Sequence, residues 1–195
     1  MNPPFLELSF YVGAAGVRPT LEALVKDLPP GELPGRLPVP NLVGLSEGEE
    51  IEVYGGIVVL RTEGGAFCGP AGTKLRRAKT LGRRVYERFV DVADMIPCVY
   101  GAILIEYSLE DPGELRRDPR SLAFRSFFLS EKHLGRAAVE QAVSLAAKGA
   151  FVEKRRAGMY VSTSSWFSPE GAQVDSLEAQ ERSAMISAVV GLAAR

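Results

Sequence analysis

The sequence predicts an α+β fold, a largely antiparallel mixed sheet with hairpins whose helices pack mainly on one face. Three observations lead there. Apolar residues alternate with period two in the first run, two pairs of runs are joined by glycine-containing turns, and helical segments do not alternate with strands in the order that builds a parallel sheet. The chain has 195 residues, 46% of them hydrophobic and 24% charged, with a formal net charge of −1. A chain of that size buries a core without crosslinks, and its composition lacks the signature of disorder. It reads as one domain spanning 1–195, and any subdivision falls near 109–121.

In FLELSFYV, residues 5–12, Leu6, Leu8, Phe10 and Val12 share one side and Glu7, Ser9 and Tyr11 the other. That is the pattern of a half-buried strand. Leu21, Leu24, Val25 and Leu28 then recur at helical spacing, with Thr20 as N-cap. Residues 29–48 hold five prolines and four glycines, too many for regular structure over most of the segment. EEIEVY and IVVLRT flank Gly55-Gly56 as a hairpin or a bent strand. Over 74–94, Leu75, Ala78, Val85, Phe89 and Val92 define the most periodic helix of the chain, limited by Pro97.

CVYGAILIEYS is a strand apolar on both sides from Ala102 to Ile105, and LAFRSFFL a second one. Residues 133–148 read as one helix ending at Gly149. FVEKR and MYVSTS, joined by RAG, form another hairpin. Asp175 and Glu178 are spaced as a capping box before a last helix carrying Leu177, Met185, Val189 and Leu192.

The near-neutral charge gives no overall field toward nucleic acid or membrane. No apolar run approaches the ~20 residues of a bilayer span, and the N-terminal residues lack the cations of a signal peptide, so the expected location is cytoplasmic. Cys68 and Cys98 are then expected to be reduced thiols. No cysteine or histidine cluster has metal-ligand spacing, and no cofactor is implied. Of 23 cations 17 are arginine, while asparagine and glutamine are scarce, a bias that fits a GC-rich or thermophilic bacterium.

Chemistry concentrates in FCGPAGTKLRR, residues 67–77. A loop between strand and helix turns backbone N–H groups inward as an anion cradle, which makes Gly69, Gly72, Thr73, Lys74 and Arg77 anion-binding candidates. The same field lowers a thiol pKa, so Cys68 is the candidate nucleophile. The spacing resembles the C-x5-R loop of cysteine-dependent phosphatases, in which thiolate attacks phosphorus and arginine grips the phosphoryl oxygens. Here Phe67 stands where that family has histidine, Lys74 replaces the arginine, and Leu75 replaces the hydroxyl residue. GPAGTK is also similar to a nucleotide P-loop, but its glycines are differently spaced and Leu75 offers magnesium no hydroxyl. The remaining reading is a turn that starts a helix.

Residues 74–88 carry Lys74, Arg76, Arg77, Lys79, Arg83, Arg84 and Arg88 against one acid, Glu87. This basic helix is a candidate contact for nucleic acid or another anion. Trp166 and Phe167 in TSSWFSPEG are either partner anchors or a plug over the sheet. His133 is expected at the surface, and Glu106 either in solvent or paired with Arg125. Asp91 and Asp94, on a helix surface, and Asp111, in a loop, are candidates for a general acid, with nothing in the sequence choosing among them. With no complete catalytic set, the leading expectation is a non-catalytic binding or protein-interaction domain with Trp166, Phe167, Arg83 and Arg84 at its surface. The alternatives are a phosphatase-like hydrolase using Cys68 and loop 69–74, and nucleic-acid contact through helix 74–88.

Overall fold

Alternation along the first apolar run sets a strand through the middle of one sheet. The computed structural model describes residues 5–25, 28, 35–39, 41–44, 48–64, 67, 73–119, 125–174 and 176–194. Among them the strands are β1 (Phe5–Tyr11), β2 (Arg36–Pro38), β3 (Glu50–Tyr54), β4 (Ile57–Glu63), β5 (Tyr100–Ile105), β6 (Ser126–Ser130), β7 (Phe151–Lys154) and β8 (Gly158–Ser162). The helices are α1 (Ala14–Leu24), α2 (Thr73–Met95), α3 (Pro112–Arg117), α4 (Glu131–Leu134), α5 (Arg136–Ser144) and α6 (Ser176–Ala193). No helix among the described residues is long and apolar enough to cross a membrane.

The strands form a single sheet in the order β2-β3-β4-β1-β5-β6-β8-β7, with every neighbouring pair antiparallel. β1 is central, and Leu8 stands opposite both Leu60 and Ile103. Both expected hairpins form, across Gly55-Gly56 and across residues 155–157. The outer strands β2 and β7 are the shortest on their sides, which limits the unpaired edge offered to another chain.

The antiparallel α+β architecture is the one the sequence predicts, but the helices, expected mainly on one face, cover both faces of the sheet. On one face Leu6, Leu8 and Phe10 meet Val17 and Leu21 of α1 and Val85, Phe89 and Val92 of α2. The Phe10 and Phe89 rings stack 5.0 Å apart. Complete burial of a ring such as Phe89 contributes roughly 1.5–3 kcal/mol. On the other face Tyr100, Phe127 and Leu129 pack with Leu115 of α3, Val139 of α5, and Ile186 and Val190 of α6. One consequence corrects the reading of β1 as half-buried: Glu7 and Ser9, on its polar side, are both 0% exposed.

Two helix boundaries also differ from expectation. α1 begins at Ala14 because Gly13, at φ 68, takes a conformation closed to most residues and turns the chain directly into the helix. Thr20 is therefore inside the helix, where its hydroxyl donates to the Gly16 carbonyl at 2.7 Å. Residues 133–148 are not one helix: Gly135, at φ 83 and ψ 144, ends α4 and precedes α5, which stops at Ser144. The expected cap Asp175 lies outside the described residues.

Candidate functional site

Four places in the fold gather polar or exposed apolar groups. The first is the start of α2. Cys68, Gly69 and Gly72 lie outside the described residues, as do the side chains of Thr73 and Lys74. Phe67, just before them, is partly buried, its ring 5.1 Å from Phe167 and 6.4 Å from Trp166. Cys98, the other cysteine, is buried and free, and burial pushes its thiol well above the ordinary range.

Along α2 the helical period puts Val85, Phe89 and Val92 into the core and leaves Arg76, Arg77, Lys79, Arg83 and Arg84 exposed. Arg83 pairs with Glu87 at 2.9 Å, and Arg84 donates to the Gly44 carbonyl at 3.0 Å. No carboxylate among the described residues lies within ion-pair distance of Arg76, Arg77 or Lys79. Further along, Asp91 and Asp94 hold Arg155 at 3.4 and 3.2 Å, and Asp94 also accepts from the Ala157 N–H. Those acids fasten the β7–β8 hairpin to α2.

The second place is the loop after β8. Phe167 is 3% exposed and belongs to the core, so it plugs the structure, while Trp166 is only partly buried. Tyr160 donates to the Phe167 carbonyl at 2.6 Å. Ser168 donates to the Ser164 carbonyl and accepts from the Ala172 N–H, closing the turn at Pro169. The Trp166 main chain lies so close to α2 that a Cβ at Gly82 would stand 2.3 Å from the Trp166 carbonyl oxygen. Arg83 and Pro169 line one hollow of about 380 Å³. The fold thus brings the aromatic loop beside the basic helix face.

Beside Trp166 opens the third feature, a groove of about 1060 Å³. β5 runs to Ile105, but its pairing with β6 stops at Ala102 opposite Phe127. The groove lies where the strands part, walled by Ile105, Tyr107, Trp166, Leu177 and Met185, with Arg125 and Glu181 among its polar groups. Tyr107, Leu177 and Met185 are 62%, 71% and 52% exposed. Glu106, at the lip, points to solvent and has φ 57, a left-handed conformation disfavoured for a side chain of its size. The sequence reading named Trp166 but missed Tyr107 and Met185 as groove residues. A signal was present: residues 183–194 contain no charge, so that half of α6 is apolar all round.

The fourth is a charge cluster on the sheet. Glu7 accepts two bonds from Arg61, at 3.1 and 2.6 Å, and one from Ser9 at 3.3 Å. Arg61 also approaches Glu52 at 2.9 Å and Glu50 at 3.8 Å, and Arg36 continues the chain to solvent. Burial raises the Glu7 pKa above its ordinary value, and Arg61 and Ser9 oppose that shift. With no exposed surface, this carboxylate cannot reach a substrate, and it serves to fix β1 against β4.

The other acids fall into place simply. Asp111 caps α3, accepting from the Gly113 and Glu114 N–H groups, and His133 is exposed. Among the described residues no three His, Cys, Asp or Glu side chains group as a metal site. No protein-family model, curated protein or solved structure matches the chain.

Proposed function

We propose that this chain is a non-catalytic binding protein that holds a polypeptide partner in the groove beside Trp166. The observation that carries the reading is the groove wall itself. Leu177, Met185 and Tyr107 keep more than half their surface in water around a concavity large enough for several side chains. Exposed apolar side chains around a concavity gain most from being covered, and aromatic residues are the commonest anchors of such contacts. The strained backbone at Glu106 supports the same reading, because such strain collects at binding sites. The hydrolase alternative rests on Cys68 and loop 69–74, of which residues 68–72 and the side chains of Thr73 and Lys74 lie outside the described residues.

The test is affinity capture from a lysate of the source organism with wild type, Trp166→Ala, Arg83→Glu and, as a surface control on α5, Arg136→Glu. A partner retained by wild type and the control but lost with Trp166→Ala supports the groove. Equal retention of every captured protein by all four would remove it.

A further inference from the structure

We infer that the partner segment is acidic around a large apolar anchor: the anchor enters the groove, and its flanking carboxylates meet Arg76, Lys79 and Arg83. This rests on the groove being the binding surface and adds the chemistry of what binds there.

Arg76, Lys79 and Arg83 stand at i, i+3 and i+7 and so share one flank of α2. All three are exposed. Gly82, next in sequence to Arg83, touches the Trp166 main chain, and Arg83 shares a hollow with Pro169 of the same loop. Arg83 therefore lies beside the loop that carries Trp166 into the groove, and Lys79 and Arg76 continue its flank one and two turns further toward the start of α2.

Their charge is poorly answered within the molecule. Arg76 and Lys79 have no carboxylate within ion-pair distance among the described residues, and Lys79 and Arg83 repel each other at i, i+4. Among the described residues Arg83 pairs with Glu87 alone, with side chains 69% and 52% exposed, and such a pair exchanges readily for another carboxylate. The whole chain carries −1, so this is local segregation of charge and not an excess of cations. Charge complementarity selects an anionic partner.

Among anionic partners the groove favours polypeptide over nucleic acid. Bases are held by successive aromatic platforms along a basic track. Here Tyr107 and Trp166 are set among aliphatic Ile105, Leu177 and Met185, and Arg125, beside Glu181, is the one cation of the lining among the described residues, which makes no basic track. Such walls fit a Leu, Phe or Met side chain better than a stacked base.

The probe is a random-peptide phage library selected on the full-length wild type and counted against Trp166→Ala. The expected winners place an aromatic or large aliphatic residue among Asp and Glu. Synthetic copies should weaken roughly tenfold or more with Lys79→Glu/Arg83→Glu, and also as salt rises. Apolar winners without acidic neighbours, unaffected by the charge reversals, would overturn the acidic assignment and leave the groove standing. No enrichment of wild type over Trp166→Ala would overturn both. Salt-sensitive binding of single-stranded DNA or RNA, lost with the same reversals and without acidic winners, would assign the cations to nucleic acid instead.

Discussion

Removing Arg61 should destabilise this protein in a way that depends steeply on pH. In Arg61→Ala, Glu7 keeps its place at the centre of the sheet, fully buried, with only Ser9 donating to it. Stripping one partner from a buried ion pair typically costs about 3–5 kcal/mol. Two features lower that figure. Arg61 is itself 23% exposed, and Glu7 can escape by taking up a proton. Holding neutral at pH 7 a carboxyl whose unfolded pKa is 4.5 costs about 3.4 kcal/mol, which caps the electrostatic loss. The expected loss is therefore about 2–3 kcal/mol at pH 7, or roughly 5–10 °C in Tm for a chain of this length.

A carboxyl whose folded pKa is raised contributes stability below its unfolded pKa and loses it as pH climbs through the folded value. Wild-type Glu7 is shifted in that direction already, and losing Arg61 enlarges the shift. The deficit of Arg61→Ala should thus shrink to about 1 kcal/mol or less near pH 5. Urea or thermal unfolding followed by circular dichroism at both pH values measures it. In the Glu7→Gln background, Arg61→Ala should cost under about 1 kcal/mol, because the buried charge is gone. A deficit equal at the two pH values, or unchanged in that background, would refute the reasoning.

Three further outcomes follow from the same geometry. Gly82→Ala places a Cβ 2.3 Å from the Trp166 carbonyl, so it should cost about 1–2 kcal/mol despite the better helix propensity of alanine, and should red-shift tryptophan emission. Lys79→Glu exchanges a repulsion with Arg83 for an attraction and should stabilise by about 0.5 kcal/mol, seen as a slightly higher Tm, even as it weakens partner binding. In a Cys68→Ser protein the remaining thiol, Cys98, should resist alkylation at mildly alkaline pH until denaturant is added. Rapid labelling of the native protein, followed by mass spectrometry, would contradict its burial.

The elements most legible in the sequence are those fixed by local pattern. A period-two run located β1, a continuous apolar run located β5, glycine turns located both hairpins, and the spacing of Val85, Phe89 and Val92 located α2. The departures have distant causes. Glu7 and Ser9 look solvent-facing in FLELSFY, because what lies on that side of the sheet, Arg61 from β4 and the helices after position 100, is supplied by distant parts of the chain. Gly135 sits within an otherwise continuous helical pattern, and only its φ of 83 reveals the break. Phe167 and Trp166 are adjacent, yet the turn tied by Ser164 and Ser168 sends one into the core and leaves the other at the groove. The groove needs β5 to outrun β6 and α6 to lie beside the gap, a relation between segments that no single stretch encodes.

Trp166 is the only tryptophan in the chain, so its fluorescence reports directly on the groove. Titrating wild type with a partner or peptide that it retains should give a saturable blue shift of that emission, with the affinity found by calorimetry. Heat of binding accompanied by unchanged Trp166 emission would place recognition elsewhere and contradict the account.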